Sequence, residues 1–359
     1  MNVSAPQVER VYEWLVPCLW TVLGVALLGN LSILVSVRWL QSEISPNLRL
    51  CISLAAADAW AACQLIIGLL VNSYLPFVHN FRYGLWYPCY LLAYEMVRVA
   101  SMLTSDFHLC ALAFVQFCGI LFPFRYKVAM TKSRMRIVIA LLWTVPLFCM
   151  FCYGCIVPEQ GFLHKHCPIG FYYKFAFRLT IFLLFTIPLL ATIGTYVIIL
   201  RFVFTERPQY SANVPLRRSF KKEGEEEAVA RRIRKRAVVT TVLIVATFCL
   251  SWFPCVLYFT LVCEDCPLRM SVAVQQVSPI AHLALSVGVK CLVILKLLIN
   301  PFLYAFRMVP VREALRCMLD KRRRRRQHKQ LQAGLAQITY RSMCVIINDS
   351  PQSIRTTCV

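Results

Sequence analysis

The sequence predicts an all-α membrane protein: a bundle of seven transmembrane helices followed by a short amphipathic eighth helix. Three observations carry this. Of 359 residues, 59% are hydrophobic, against about 45–50% in soluble domains, and the mean hydropathy is +0.62. Four uncharged runs, residues 15–37, 137–157, 179–200 and 237–262, each reach the roughly 20 apolar residues that a span needs at about 1.5 Å rise per residue. Three further apolar stretches, near 50–71, 86–122 and 272–306, carry ionisable residues and bring the number of spans to seven. A run as long as 237–262 reads as a membrane span rather than a soluble core helix, and the strict alternation of a membrane barrel is missing.

The chain divides into an N-terminus (1–14), the seven-span region (15–307), an amphipathic segment (308–319) and a basic tail (320–359). The opening MNVSAPQVER has no apolar core of its own, so the first helix is expected to serve as the targeting signal. That helix contains Gly29-Asn30. The second carries Asp58 in Leu54-Ala55-Ala56-Ala57-Asp58. The third carries Glu95, Arg98, Asp106 and His108, and the fourth Trp143. The fifth has Pro188, with Tyr196 eight residues on. The sixth reads Phe248-x-x-x-Trp252-x-Pro254. The seventh carries His282, Lys290 and Lys296 and ends in Asn300-Pro301-Phe302-Leu303-Tyr304. Pro254 and Pro301 each remove a backbone hydrogen bond, so both helices should bend there. A bend lets a small shift near Trp252 grow toward the far end of the helix. In the segment 308–319, Val311, Leu315 and Leu319 share one side with Arg312 and Arg316 flanking it, which suits a helix lying on the membrane surface.

Charge sets the expected orientation. The net charge is +22. Basic residues gather after the third helix (Arg125, Lys127, Lys132, Arg134, Arg136), between 207 and 236, and between 307 and 326; the other side holds Arg10, Arg82, Lys165, Lys174, Arg178 and Arg269. The positive-inside rule makes the basic loops cytoplasmic and puts the N-terminus outside a plasma membrane. The run KRRRRR at 321–326 follows a membrane helix closely, which favours anionic inner-leaflet lipid over nucleic acid as its partner.

Most of the 18 cysteines lie within spans and read as small buried hydrophobes. Cys89, Cys167, Cys263 and Cys266 are expected on the oxidising side, where Cys263 and Cys266 are near enough in sequence for a local bridge. Asn2-Val3-Ser4 is a glycosylation sequon. Cys317 is a candidate for palmitoylation. The C-terminal Thr357-Cys358-Val359 has the form that PDZ domains capture. No metal-ligand spacing and no nucleophile–base set is present, so neither an enzyme nor a cofactor is expected; His164 and His166 beside Cys167 read as a loop flanking a disulfide.

In their order and spacing these motifs resemble the rhodopsin-like (class A) G-protein-coupled receptors. The resemblance implies an extracellular ligand, a heterotrimeric G protein as partner, and a Cys89–Cys167 disulfide. It also implies roles for Pro188, Tyr196, Phe248, Trp252, Pro254, Pro301 and Tyr304 in activation, and for Phe124 and the base of the sixth helix, at Arg234, in G-protein contact. Two departures stand out. Where the family carries Asp-Arg-Tyr, this chain has Val115-Gln116-Phe117, and where an acid would stand on the sixth helix it has Arg234, so the ionic restraint at the cytoplasmic end is absent. Arg98 occupies the place where amine receptors of the family carry an aspartate.

Buried charges are costly in a bilayer and mark function. Asp58 matches the acid of the family's sodium-binding pocket, with Ser105 alongside. Lys296 lies one turn before Asn300 and should face the same pocket, its ammonium standing in for sodium and pairing with Asp58, with Asp106 sharing it. The alternative is that Lys296 snorkels to the inner surface. Nearer the outside, Glu95, Arg98, Met102 and Ser105 follow helical spacing on one face. Glu95, Arg98, Met102, Lys290 and Trp252 are therefore expected to line the ligand cavity, with Glu95 partly offsetting Arg98 one turn away and the two cations favouring an anionic ligand; the alternative is an internal Glu95–Arg98 pair with no ligand role. Two other functions stay open: a non-signalling or scavenger receptor of the same fold, and a transporter using Asp58, Asp106 and Lys296, against which the lack of internal repeats argues.

Overall fold

The computed structural model describes residues 5–40, 43–205, 218–266 and 279–321. Within these, only the backbone is described at 5–9, 127, 204–205, 218–237, 240–241, 279–283 and 307. Eight helices organise the chain: α1 (Ala5–Ser36), α2 (Pro46–Leu69), α3 (Tyr87–Leu121), α4 (Lys132–Ile156), α5 (Phe175–Thr205), α6 (Arg218–Leu261), α7 (Pro279–Arg307) and α8 (309–321). Among the described residues there is no strand, and seven helices are long and apolar enough to cross a membrane.

Local chemistry sets the helix ends. Ser45 caps α2, its hydroxyl accepting from the Leu48 N–H at 3.2 Å, and Pro46 fills the first turn, where a missing N–H costs nothing. Thr131 caps α4 in the same way. α3 stops at Leu121 because Pro123 disfavours helical geometry at Phe122, whose φ is −129°. α2 passes into a π turn (Leu70–Tyr74) and then a single α turn (Leu75–Val78). Pro76 explains the change, since its ring crowds the carbonyl four residues back and offers no N–H to it. α6 begins well before the apolar run at 237, because Glu, Lys, Arg and Ala dominate that approach and favour helix. Of the seventh span, residues 272–278 lie outside those described.

α3 runs through the bundle and touches α2, α4, α5 and α6, while α1 packs on α2 and α7. The α1–α7 contact is close: a Cβ on Gly29 would sit 3.1 Å from the Pro301 ring. Asn30 Nδ2 donates across it to the Leu297 carbonyl at 3.2 Å. Leu28, Phe148, Ile187, Leu250 and Leu295 point outward from the bundle, as apolar side chains meeting lipid should.

The segment between α4 and α5 is held against the bundle end by covalent and steric constraints. Cys167 is bonded to Cys89 at the start of α3, with Cα atoms 4.9 Å apart. Gly161 has φ +79° and lies so near α4 that a Cβ would fall 1.9 Å from the Gly154 carbonyl oxygen, so only glycine fits. These anchors bring the short 3₁₀ segment Gly170–Tyr173 over the space between the helices. Cys263 and Cys266 are also bonded, in the turn after α6.

Candidate functional site

A cavity opens beneath Tyr172 and Tyr173 at the disulfide end. Its larger part, about 260 Å³, is lined by residues of α2 and the π turn after it, of α3 and of α7, including Gln64, Asn72, Tyr94, Glu95, Arg98 and Lys290. Met102 and Trp252 form part of its floor. The five ligand-cavity residues read from the sequence thus line one space. Ser105 and Asp106 lie deeper and are buried.

Within the cavity, Arg98 donates through Nε and Nη2 to Glu95 Oε2, at 2.8 and 2.5 Å, and through Nη2 to the Tyr172 hydroxyl at 2.5 Å. The internal pair therefore exists and also lines the cavity, joining α3 to the covering loop. Burial pushes the Tyr172 hydroxyl above its ordinary pKa, an effect that Arg98 opposes and Glu95 reinforces, so the group stays protonated. Lys290 is exposed into the cavity and has no ion pair among the described residues.

Arg178, near the start of α5, has a different task. Its Nη1 donates to the Phe259 and Val262 carbonyls at the end of α6, and its Nε to the Tyr172 carbonyl at 3.2 Å. The last carbonyls of a helix lack intrahelical partners and carry partial negative charge, so this guanidinium caps α6 and ties it to α5 and the loop. On the sequence alone Arg178 is merely a cation near a span end. Tyr172, Gln64 and Asn72 give no local signal either, because no spacing relates a loop tyrosine or residues at the end of the second span to a cavity on α3, whereas Tyr94 lies one turn before Arg98 on α3 and could have been found by helical spacing.

The second cluster lies in the centre of the bundle. Lys296 Nζ lies 2.5 Å from Asp58 Oδ1 and Asn300 Nδ2 lies 2.6 Å from Asp58 Oδ2. The Lys296 and Asp58 side chains are 1% and 0% exposed, so the ammonium does not reach the surface. It also lies 5.5 Å from the Phe248 ring centroid, bringing α2, α6 and α7 together at one charge. Asp106, expected to share Lys296, stands outside this cluster. Both its oxygens are buried without a hydrogen-bond partner among the described residues. A helix turns about 100° per residue, so Ser105 and Asp106 cannot both face α2 and α7.

A third cluster went unread in the sequence. His108 Nε2 lies 2.8 Å from Ser53 Oγ, and Trp143 Nε1 donates to the same oxygen at 3.0 Å. His108 Nδ1 lies 2.7 Å from the Thr104 carbonyl, which can only accept, so Nδ1 carries the proton. This chain joins α2, α3 and α4 and satisfies its buried polar atoms internally.

Further along, Phe185 and Phe248 stack at 5.6 Å, and Phe248 and Trp252 lie 6.4 Å apart. Pro188, Pro254 and Pro301 sit inside α5, α6 and α7. Tyr196, Tyr304 and Gln116 are buried at the opposite, basic end of the bundle, while Phe124 is 88% exposed on the short helix Pro123–Ala129. Arg234 lies on α6, but its side chain is outside those described. Cys317 is half-buried on α8. Asn2, Thr357 and Val359 lie outside the described residues. No group of three or more metal-ligating side chains occurs among the described residues.

The chain is similar in sequence to known proteins. The model of the family described as "7 transmembrane receptor (rhodopsin family)" matches residues 29–304. The chain is similar to trace amine-associated receptor 2 of Mus musculus, 25% identical over 278 residues, covering 73% of this chain and 76% of the relative. It is similar to trace amine-associated receptor 2 of Homo sapiens, 24% identical over 284 residues, with 73% of each covered. It is also similar to adenosine receptor A2a of Homo sapiens, 25% identical over 339 residues, covering 86% of this chain and 73% of the relative.

Proposed function

The chain belongs to the rhodopsin family of seven-transmembrane receptors, and from that premise we propose that it is a plasma-membrane receptor, N-terminus outside, for an extracellular ligand bearing negative charge. Its signal passes to a heterotrimeric G protein through an altered cytoplasmic end. The observation that carries the ligand reading is Lys290, exposed into the cavity without an ion pair among the described residues. The relatives' names suggest an amine, but an amine entering this cavity would meet the Lys290 ammonium, while Glu95, the carboxylate among the lining residues, is already engaged by Arg98. Like charges in a confined space of low dielectric repel strongly.

Coupling rests on Phe124, exposed beyond α3, and on the basic approach to α6, with Gln116 where the family carries arginine. The tail supplies contacts to anionic lipid from Lys321 onward and to a PDZ domain at Thr357 and Val359. The missing arginine favours one other reading, a scavenger of the same fold that binds without signalling.

The test is G-protein activation in cells expressing the full chain at a measured surface level, with panels of carboxylates and monoamines and with Lys290→Met. Activation by carboxylates that Lys290→Met abolishes supports the reading. Activation confined to monoamines and indifferent to Lys290→Met overturns it. Carboxylate binding at the surface without activation of any G-protein class supports the scavenger.

A further inference from the structure

The cavity has two compartments of opposite character. The larger, about 260 Å³, offers the amides of Gln64 and Asn72, the Ser73 hydroxyl and the Lys290 ammonium. The smaller, about 60 Å³, lies between α3, α5 and α6, where Val99, Phe177, Ile181 and Val256 line it and line none of the larger one. Arg98, Met102, Trp252 and Phe259 border both, so the two adjoin.

Charge within this space is nearly balanced. Three cations line it, and two have their charge offset: Arg98 by Glu95, and Arg178 by the terminal carbonyls of α6. Of the three, Lys290 is left with neither an ion pair nor a helix-end carbonyl among the described residues. One unopposed ammonium matches one negative charge. A phosphate monoester, carrying about 1.5 to 2 negative charges at neutral pH, would leave an excess in a space that water screens poorly.

Size constrains the rest of the ligand. An apolar cavity of about 150 Å³ accommodates benzene, so the 60 Å³ compartment takes a few aliphatic carbons but not a ring. The residues that line it alone are apolar apart from Thr260, whose hydroxyl already donates to the Val256 carbonyl at 2.8 Å, and the charged groups it shares with the larger compartment are engaged, Arg98 with Glu95 and the Tyr172 hydroxyl, Arg178 with the carbonyls at the end of α6.

We propose that the ligand is a monocarboxylate carrying a short aliphatic arm, its anionic group against Lys290 and its arm in the compartment between α3, α5 and α6. This rests on the anionic reading above and adds the single charge and the arm. The arm ends beside Trp252, which borders the compartment and packs on Phe248, so filling the compartment bears directly on α6.

The test uses the full chain, as purified receptor for thermal stabilisation and in membranes for nucleotide exchange on G protein. The probes are straight-chain carboxylates from acetate to decanoate, with n-alkylamines and alkyl phosphates of matched length. Each methylene that enters an apolar site strengthens binding roughly fourfold. The expected pattern is a steady gain with carboxylate length to an optimum, then a fall. Ile181→Phe and Val256→Phe, which narrow the small compartment, should move the optimum to shorter chains, and Ile181→Ala should move it to longer ones. Lys290→Met should remove the response at every length. Carboxylates that stabilise the receptor with no length optimum, or with one that none of the three small-compartment variants moves, overturn the arm while leaving the anionic reading intact. Alkyl phosphates binding above carboxylates overturn the single charge. Binding of amines alone overturns the anionic reading, and the proposal with it.

Discussion

Replacing Lys296 with methionine removes an ammonium and keeps an unbranched side chain of similar length, which isolates the charge. Asp58 is 0% exposed and its two oxygens face Lys296 and Asn300, at 2.5 and 2.6 Å. After the change only the Asn300 amide would remain to a carboxylate sealed from water. Breaking one side of a buried pair costs about 3–5 kcal/mol, mostly the penalty of the charge left behind. Near-zero exposure of both partners puts this pair at the upper end, since solvent cannot screen it. The loss of the contact with the Phe248 ring adds to it. At about 1.4 kcal/mol per decade, the folded-to-unfolded ratio should fall by at least about two powers of ten. That is a large share of a total stability of about 5–15 kcal/mol.

The assay is the melting temperature of detergent-extracted full chain, with surface level measured in parallel. Lys296→Met should lower both. Asp58→Asn combined with Lys296→Met should recover much of the loss, because no charge is then stranded, and the cycle of single and double variants measures the coupling. Exchanging potassium for sodium should leave the melting temperature of the unaltered receptor unchanged, since the tethered ammonium already occupies the carboxylate. A Lys296→Met variant that melts and reaches the surface like the parent, or a double variant no better than the single one, would refute a stabilising Asp58–Lys296 pair.

Three further outcomes follow from the same geometry. Gln116→Arg should change the efficiency of G-protein activation more than surface level, because the residue lies at the basic end away from both clusters; equal effects on the two readouts would count against a switch at this position. Gly161→Ala should destabilise by about 1–3 kcal/mol or more, since it combines φ +79° with a Cβ 1.9 Å from the Gly154 oxygen; a non-reducing peptide map should show the Cys89–Cys167 bond forming less completely. Arg178→Met leaves the Phe259 and Val262 carbonyls without this donor and should cost about 1–3 kcal/mol in thermal unfolding, whereas Lys290→Met, with no ion pair to break among the described residues, should leave the melting temperature near that of the parent.

The parts legible in the sequence are those whose physics is local or repeats at fixed spacing. Spans declare themselves by length and apolarity, which is why seven were countable without coordinates. Lys296 could be aimed at Asp58 because it lies one turn from Asn300, and a helix keeps such neighbours on one face. The same rule placed Glu95, Arg98 and Met102 toward one space. Asp106 does not share Lys296 as expected: consecutive helical residues diverge by about 100°, and its oxygens have no hydrogen-bond partner among the described residues.

What stayed illegible depends on where the chain folds back on itself. Tyr172 reaches Arg98 only because Cys167 is bonded to Cys89 and Gly161 lets the loop lie on α4, and none of these three facts refers to residue 172 in the sequence. Arg178 could be seen as a cation near a span end, yet its task is set by α6, whose last carbonyls reach it from more than eighty residues away. His108 looked like one more ionisable residue in an apolar stretch, and it becomes a satisfied joint only when Ser53 and Trp143 arrive from two other helices. The consequence for the ligand is direct. The sequence places two positive groups, Arg98 and Lys290, toward the cavity, with Glu95 one turn from Arg98. In the fold Arg98 is paired with Glu95 and also held by Tyr172, while Lys290 lines the cavity with no ion pair among the described residues, and the proposed single-charge ligand rests on that inequality.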